Sequence, residues 1–322
     1  MLAAGADFTN KTTTKHERFL FYLWVGKNKF EKFKNRNNMN VLSLFDGMSC
    51  GQIALERAGI KVDNYFASEI ETPAIEVTMK NYPNTKQIGD VTKVRGSDLP
   101  KIDLLIGGSP CQGFSFAGKG LNFEDPRSKL FFEFVRLLKE CNPTYFLLEN
   151  VKMKKQHQDV ITELLGVEPI LIDSALITAG RRERLYWTNI PNVEQPKDKG
   201  IVLNDILESE VGKKYYLSEK RINLIFNGIK YGVTNKICDR NGKAFTLSAS
   251  MGMGGGYEPK VEANGTYRKL TPKECERLQT VPDDYTLGVS NTARYKMLGN
   301  GWTVDVVAHI FNGLKSQRGE EK

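Results

Sequence analysis

Short apolar runs alternate with amphipathic segments along the chain from Asn40 onward. Four of these runs, "NVLSLF", "VDNYFASE", "IDLLIGG" and "TYFLLEN", have the length and the apolar content of β-strands. The segments between them, "SCGQIALERAG", "ETPAIEVTMKNYP" and "RSKLFFEFVRLLKEC", place their apolar residues at helical spacing. Because strands and helices alternate, the pattern predicts an α/β fold with a mainly parallel sheet that helices cover on both faces.

This alternation ends near residue 190. Residues 191–267 are irregular and locally basic, and they include the glycine-rich run "SASMGMGGGYEP". Helical spacing returns in "TPKECERLQT" and "TVDVVAHIFNGLK". We therefore predict an α/β domain over residues 39–190, an insert over 191–267 and a C-terminal segment, 268–322, that completes the domain. Residues 1–38 have no clear periodicity, and we interpret them as an extension outside it.

The basic charge of the chain is unevenly distributed. The formal net charge is +8, but +5 of it lies in residues 1–38, which leaves +3 for the rest. Within the insert, residues 211–243 carry eight Lys and Arg against two Asp and Glu, with Tyr215, Tyr216 and Phe226 interleaved. Such a patch can neutralise phosphates, as in nucleic-acid binding, or it can be an ordinary solvated surface.

The composition argues against several classes of protein. Hydrophobic residues make up 40% of the 322 residues and charged residues 26%, as in globular enzymes. No apolar stretch approaches the roughly 20 residues that a membrane helix needs, so we expect a cytoplasmic protein. The five cysteines show no CxxC spacing, and none of the three histidines lies near another plausible ligand. We therefore predict neither a disulfide framework nor a metal site.

Polar and glycine-rich residues follow the predicted strands, at the sheet edge where α/β folds bind ligands. The turn "FDGMSCG" lets the backbone approach a ligand at a helix N-terminus, although it lacks the GxGxxG fingerprint. Glu69 ends the second strand, where acidic residues bind ribose hydroxyls, and Asp90 follows a third strand. Together these features favour a cofactor that contains adenosine.

The loop "GGSPCQGFSF" places Cys111 directly after Pro110, with glycines on both sides. A free cysteine is usually a small buried hydrophobe. Proline, however, restricts the backbone before Cys111, and the surrounding backbone amides can lower the pKa of a thiol. The loop alone leaves both interpretations open, a packed thiol and a nucleophile.

Two further blocks carry charged residues on predicted strands. In "LLENV", Glu149 ends a very apolar strand, either as a cap or as a desolvated group for proton transfer. In "RRERLYW", Arg182 and Arg184 lie on one strand face. They suit the binding of an anion or a carbonyl group, or they form a solvated charge run.

In their order and spacing, these blocks resemble those of the DNA cytosine-5 methyltransferases. The resemblance extends from Met39 to about Leu314, and the Pro-Cys-Gln and Glu-Asn-Val blocks together are highly specific. The matching blocks are "LSLFDGMSCG", "ASEI", "GDV", "GGSPCQGFSFAG", "DPRSKLFF", "LLENV", "RRERLYWTN", "YRKLTPKECERLQTVPDDY" and "MLGNGWTVDV".

The resemblance implies a Rossmann-like, S-adenosylmethionine-dependent methyltransferase domain with a small, irregular target-recognition insert. Cys111 would attack carbon 6 of cytosine, and Glu149 would hold ring nitrogen 3 and the exocyclic amine. Arg182 and Arg184 would orient the cytosine and its backbone. The S-adenosylmethionine pocket would be lined by Phe45, Gly47, Glu69, Ile70, Asp90, Pro110, Leu130, Asn300 and Trp302.

The implied partner is double-stranded DNA, from which the target base must be flipped out. Residues 191–267 would be the target-recognition region. The predicted DNA contacts are Gln112, Ser115, Lys213, Lys214, Arg240 and Lys243. We expect a monomer, with a cognate restriction endonuclease as a potential partner that acts separately.

The sequence departs from the family just before the two arginines. The family usually has Gln-Xaa there, whereas this chain has Gly180 and Arg181, and the missing amide predicts a weaker hydrogen-bond network around the catalytic loop. Three alternative classes of protein differ from this interpretation in particular residues. A methyltransferase acting on an exocyclic nitrogen would have Pro-Pro where Cys111 stands. A tRNA methyltransferase of the same fold would carry Cys-Phe-Thr, which none of the five cysteines shows. An inactive DNA-binding relative is left open by Gly180.

Overall fold

The computed structural model describes residues 39–109, 126–227, 237–253 and 258–315. Several of the predictions above fall outside these ranges, namely those for residues 1–38, Pro110, Cys111, Gln112 and Ser115. They stay predictions.

The described chain forms one large sheet of seven strands. These strands are β1 (Met39–Leu44), β2 (Val62–Ser68), β3 (Lys86–Gln87), β4 (Leu104–Gly108), β5 (Tyr145–Val151), β6 (Pro169–Asp173) and β7 (Glu183–Thr188). Their order in the sheet is β3-β2-β1-β4-β5-β7-β6. All neighbouring strands are parallel except at β7, which is antiparallel to both β5 and β6. The structure confirms the predicted α/β fold with its mainly parallel sheet.

The strands are apolar on both faces because both faces are covered. In β1, Met39 and Val41 belong to the core on one side of the sheet, while Leu42 and Leu44 belong to the core on the other. All four side chains are fully buried. Alternate residues of a strand point to opposite faces, so a doubly covered strand appears in the sequence as a continuous apolar run.

Eight α-helices lie in the described ranges. They are α1 (Cys50–Arg57), α2 (Thr72–Asn81), α3 (Pro126–Cys141), α4 (Lys155–Leu165), α5 (Glu219–Asn227), α6 (Pro272–Leu278), α7 (Asn291–Asn300) and α8 (Val304–Phe311). The last helix packs against the first. Within these same ranges, no helix combines the length and the apolar character that crossing a membrane requires.

A second, smaller sheet lies in the region predicted as the insert. It has the strand order β10-β9-β8 and consists of β8 (Ile237–Cys238), β9 (Lys260–Ala263) and β10 (Thr266–Lys269). Asn264 and Gly265, both with positive φ, form the tight turn between β9 and β10. Strand β10 runs across the predicted boundary at 267/268, and the domain boundaries themselves stay predictions.

Candidate active site

A cavity of about 730 Å³ opens at the edge of the main sheet where the parallel strands end. Residues at the ends of β1, β2, β4 and β5 or just beyond them line it, together with the end of α7 and residues 246–249. This is the edge at which α/β folds bind their ligands. The volume falls within the ~300–1,000 Å³ range of small-molecule sites.

The turn between β1 and α1 forms part of the cavity wall. Its backbone is left-handed at Phe45 (φ 57°), Gly47 (φ 59°) and Ser49 (φ 60°). This conformation is unfavourable for Phe45 and Ser49, which carry Cβ atoms, and strain of this kind concentrates at functional sites. The turn brings the amide of Gly47 within 2.7 Å of Oε2 of Glu69, to which it donates a hydrogen bond.

Two acidic side chains of the cavity are fixed by hydrogen bonds from nearby residues. Oε1 of Glu69 accepts from the amides of Ile70 and Glu71, at 2.7 and 2.9 Å. Oδ1 of Asp90 accepts from the amide and the hydroxyl of Thr92, at 3.0 and 2.9 Å. These bonds hold the pKa of Asp90 below its usual range. Both acids therefore face the cavity in defined positions.

A third acid of the cavity, Asp46, was not predicted as a site residue. Its Oδ1 accepts a hydrogen bond from the Tyr65 hydroxyl at 2.7 Å, and its Oδ2 accepts one from the Ser49 hydroxyl. Burial, with a smaller contribution from the nearby Glu69, outweighs the hydrogen bonds and raises the pKa of Asp46 to about 6. The sequence signal that could have identified Asp46 is its position inside the turn "FDGMSCG".

Glu149 and Arg184 form a close ion pair beside these acids. Nε of Arg184 lies 2.8 Å from Oε1 of Glu149, which is buried at the end of β5. A Cβ added at Gly108 would lie 3.0 Å from Oε2 of Glu149 and 2.9 Å from Nε1 of Trp302. Because Gly108 has no side chain, the acid and the indole can share this corner of the cavity.

Arg182 also lines the cavity, but backbone carbonyls hold its guanidinium. Nη1 donates to the carbonyls of Leu247 and Gly299, at 3.3 and 3.2 Å. Nη2 donates to Gly299 and Asn300, at 3.3 and 3.4 Å. Burial lowers the pKa of Arg182 to about 10, with a further contribution from Arg184. Arg182 is thus part of the cavity's framework.

The cavity brings together residues that the sequence predicted separately. Glu149, Arg182 and Arg184 all line it. So do all the predicted cofactor residues that the structure describes, which are Phe45, Gly47, Glu69, Ile70, Asp90, Leu130, Asn300 and Trp302.

Residues 39–166 and 175–316 match a family model described as C-5 cytosine-specific DNA methylase. The chain belongs to this family. Among its relatives, the Type II methyltransferase M1.ScrFI of Lactococcus lactis subsp. cremoris is 33% identical over 314 residues, covering 86% of this chain and 79% of the relative. The Type II methyltransferase M.HhaI of Haemophilus parahaemolyticus is 29% identical over 322 residues, covering 88% and 97%.

Solved structures share the fold of this C-5 cytosine methylase. The Entamoeba histolytica methyltransferase EhMeth superimposes with a TM-score of 0.75 at 17% identity, over 88% of this chain and 100% of that one. The S. pombe Dnmt2 methyltransferase gives a TM-score of 0.69 at 21% identity, over 86% and 98%. These likenesses confirm the predicted Rossmann-like methyltransferase fold.

The basic residues predicted to contact DNA fall into two groups in this methylase. Lys213 and Lys214 are exposed, and Nζ of Lys214 lies 5.3 Å from the ring centroid of Tyr215. Arg240 instead donates to Oδ1 of Asn204 and to the Glu262 carbonyl. Lys243 donates to the carbonyls of Thr178 and Ile201, at 3.1 and 2.6 Å. None of these four described residues lines the cavity, and their roles in DNA binding stay predictions.

One segment of the site has no distinguishing pattern in the sequence. Residues 246–249 of the insert reach the cavity, where Thr246 donates to the Arg181 carbonyl at 2.7 Å. This segment is held because Ala244 pairs with Gly180 in a parallel bridge. Only its tertiary position marks it, since no strand or helix pattern precedes it in the sequence.

Three of the four described cysteines have raised thiol pKa values. Burial raises the pKa of Cys50 to about 12 and that of Cys141 to about 11, and it raises the pKa of Cys275 well above its usual value. These thiols are protonated at neutral pH. Among the residues that the structure describes, no group of three or more His, Cys, Asp or Glu is arranged to hold a metal ion.

The departure at Gly180 is compatible with the local structure. The Gly180 carbonyl accepts from the Ser174 hydroxyl at 2.7 Å. A Cβ at this position would lie 3.3 Å from Cδ2 of Leu278, a tight but adjustable contact. The backbone at this position is thus fixed without a side chain, and the predicted weakening of the catalytic loop stays a prediction.

Proposed function

We propose that this methylase transfers a methyl group from S-adenosylmethionine to carbon 5 of cytosine in duplex DNA. One observation carries the proposal. A single cavity holds the predicted cofactor residues next to the Glu149–Arg184 ion pair, in a chain that belongs to the C-5 cytosine-specific DNA methylases. A methyl donor and a cytosine ring would therefore meet in one place.

The residues of the cavity fit S-adenosylmethionine. Glu69 and Asp90 offer acceptor oxygens for ribose hydroxyls and for the amino groups of the ligand. Ile70, an apolar side chain that is 69% exposed, offers a surface for the adenine ring. Asp46 adds an acidic group that suits a positively charged ligand. When bound, S-adenosylmethionine supplies an electrophilic methyl group on a sulfonium.

Cytosine needs activation before it can accept this methyl group, because carbon 5 is a weak nucleophile. In the proposed mechanism the Cys111 thiolate attacks carbon 6 and forms a carbon–sulfur bond. The electrons of the C5–C6 double bond then make carbon 5 nucleophilic. Cys111 is the candidate because the sequence places it after Pro110 in the loop that follows β4.

Glu149 supplies the complementary acid. In its protonated form, with the proton on Oε2 while Oε1 accepts from Arg184, Glu149 donates to ring nitrogen 3 and stabilises the charge that the attack creates. Arg184 holds Oε1 of Glu149, and Gly108 leaves space at Oε2. The pair therefore fixes the orientation of the acid.

The proposed reaction closes with methyl transfer, loss of the carbon 5 proton and release of the enzyme. Carbon 5 takes the methyl group, and the sulfonium becomes a neutral thioether. A base removes the proton from carbon 5, and those electrons restore the C5–C6 double bond as the sulfur of Cys111 leaves, while ring nitrogen 3 returns its proton to Glu149. Because carbon 5 of a stacked base cannot reach this cavity, the cytosine is flipped out of the duplex.

A covalent trap tests this proposal. DNA amplified with 5-fluoro-dCTP in place of dCTP has no proton at carbon 5 for a base to remove, so the adduct with the enzyme persists. With S-adenosylmethionine, we expect a protein–DNA complex that survives denaturing electrophoresis, and none with Cys111→Ser. A stable complex with Cys111→Ser, or none with the wild-type protein, would overturn the covalent mechanism.

The nucleic acid is tested by the same enzyme with labelled S-adenosylmethionine. We expect label in plasmid DNA from a methylation-free host, recovered as 5-methyldeoxycytidine, and none in total tRNA. Label only in tRNA would overturn the proposal in favour of an RNA methyltransferase. A restriction endonuclease that acts separately on the same target stays a proposal, supported by the Type II names of the relatives.

A further inference from the structure

Arg182 joins two parts of the cavity wall. One is the segment with the predicted cofactor residues Asn300 and Trp302, here called the cofactor wall, and the other belongs to the insert. The Arg182 guanidinium donates to the carbonyls of Gly299 and Asn300, which end α7, and to the carbonyl of Leu247, which belongs to the insert. Arg182 is only 6% exposed, so these bonds are shielded from water. One side chain thus holds two parts of the cavity wall that are more than fifty residues apart in sequence.

The end of α7 needs such donors. The last carbonyls of a helix have no intrahelical partner and lie at the negative end of its dipole. In α7, the Leu298 carbonyl accepts from Nε2 of Gln279 at 2.7 Å, and the next two carbonyls accept from Arg182. Gln279 also binds the Gly301 carbonyl at 3.1 Å. Two side chains therefore hold the turn that contains Asn300.

The insert approaches this helix end closely. A Cβ added at Gly299 would lie 2.3 Å from the carbonyl carbon of Ser248, so the approach requires glycine. Residues 246–249 line the cavity together with Asn300 and Trp302. If one of these two segments becomes more ordered, the other is therefore affected directly, through packing and through hydrogen bonds.

We propose that Arg182 is a positioning residue which couples the cofactor wall to the insert, so that filling the cavity orders residues 244–253 for DNA. The inference rests on the proposed function for the identity of the DNA partner. It gives Arg182 and Arg184 different tasks, because Arg184 holds the acid Glu149 while Arg182 holds the cavity wall.

Gln279 provides a matched control for this coupling. Like Arg182, it binds the carbonyls at the end of α7. Its other side-chain contact is with the hydroxyl of Thr303, and within the described residues its hydrogen bonds do not reach the insert. Substituting Gln279 therefore loosens the helix end without breaking the link to residues 244–253.

Hydrogen exchange of the full chain, with and without S-adenosylhomocysteine and without DNA, tests the coupling. In the wild-type protein we expect the ligand to slow exchange in residues 297–302 and also in 244–253. In Arg182→Lys the slowing of 244–253 is lost, and affinity for the ligand falls about tenfold, as expected when a hydrogen bond to a charged group is lost. In Gln279→Leu affinity falls, but the ligand still slows exchange in 244–253.

Retention of the ligand-induced slowing in Arg182→Lys would overturn the proposal. Residues 131–147, none of which lines the cavity, serve as the internal control, since a merely structural defect would speed exchange there as well. If Arg182→Lys does not fold, Gly299→Ala separates the same two segments and must also lose the slowing. No binding of S-adenosylhomocysteine by the wild-type protein would overturn the proposed function too, whereas ligand binding without DNA methylation would overturn that function alone.

Discussion

The cofactor side of the cavity and the insert use charged residues in different ways. On the cofactor side, Glu69 and Asp90 lie close after parallel strands and face the cavity with fixed oxygens. In the insert, Arg240 and Lys243 donate hydrogen bonds to oxygen atoms of the protein itself. Glu69 and Asp90 thus face the cavity, whereas Arg240 and Lys243 support the fold of the insert.

This difference shows in which region the position of a residue in the sequence predicts its chemical role. The carboxyl ends of parallel strands meet at one edge of the sheet, so a residue that follows such a strand is placed at the site by topology. In the irregular insert, the role of a basic residue depends on which carbonyls lie within reach. Substitutions of the predicted cofactor residues should therefore change ligand affinity specifically. Substitutions of basic residues in the insert should change DNA binding in some cases and stability in others.

The largest expected effect is that of Glu149→Gln. The amide cannot donate the proton that ring nitrogen 3 needs, so we expect kcat to fall about 10²–10⁴-fold, the usual contribution of a positioned acid. Affinity for S-adenosylhomocysteine should stay unchanged, because Glu149 is not among the predicted cofactor residues. Single-turnover methylation and calorimetry measure the two quantities. A large loss of ligand affinity with normal kcat would contradict the assignment.

Glu69→Ala should affect the cofactor alone. It removes an acceptor for three backbone amides and for the predicted ribose contact, so KM for S-adenosylmethionine should rise about tenfold or more. Glu71→Ala is the matched control. Its ion pair with Lys296 is exposed, and such pairs contribute only about 0–1 kcal/mol. Equal effects of the two substitutions, measured by initial rates, would remove the special role of Glu69.

Much of the fold and of the cofactor wall could be predicted from the sequence. Continuous apolar runs such as that of β5 identify doubly covered strands, and Glu69 directly follows the parallel strand β2. The contact between Ser248 and Gly299 could not be predicted, because it joins segments with no shared local pattern. The same holds for Arg182, whose carbonyl partners come from tertiary packing.

The raised pKa of Asp46 predicts that ligand binding in the cavity depends on pH. Its raised pKa of about 6 means that the carboxyl gains a proton as the pH falls through that value. The cavity then loses a negative charge, so we expect binding of cationic S-adenosylmethionine to weaken relative to the neutral thioether S-adenosylhomocysteine. Calorimetry of both ligands between pH 5 and pH 8 measures this ratio. In Asp46→Asn the ratio should not vary with pH, and a wild-type dependence that persists there would point to another group.

The smallest expected effect is that of Lys213→Ala with Lys214→Ala. These exposed lysines should bind phosphates, and each phosphate neutralised contributes about 0.9 to the slope of log affinity against log salt. We expect weaker DNA binding, a shallower slope and an unchanged melting temperature. Arg240→Ala, by contrast, should lower the melting temperature, because its guanidinium supports the insert. If the slope of log affinity against log salt is unchanged in the double variant, DNA does not contact these two lysines.

Base-resolution sequencing of 5-methylcytosine is the most direct test of DNA methylation by this protein. The protein and its Cys111→Ala variant would each be expressed in a methylation-free host, and plasmid DNA sequenced from both. We predict 5-methylcytosine within one short sequence context for the wild-type protein and none for the variant. Unmodified DNA from cells that contain soluble wild-type protein, or equal methylation by Cys111→Ala, would contradict the proposed mechanism.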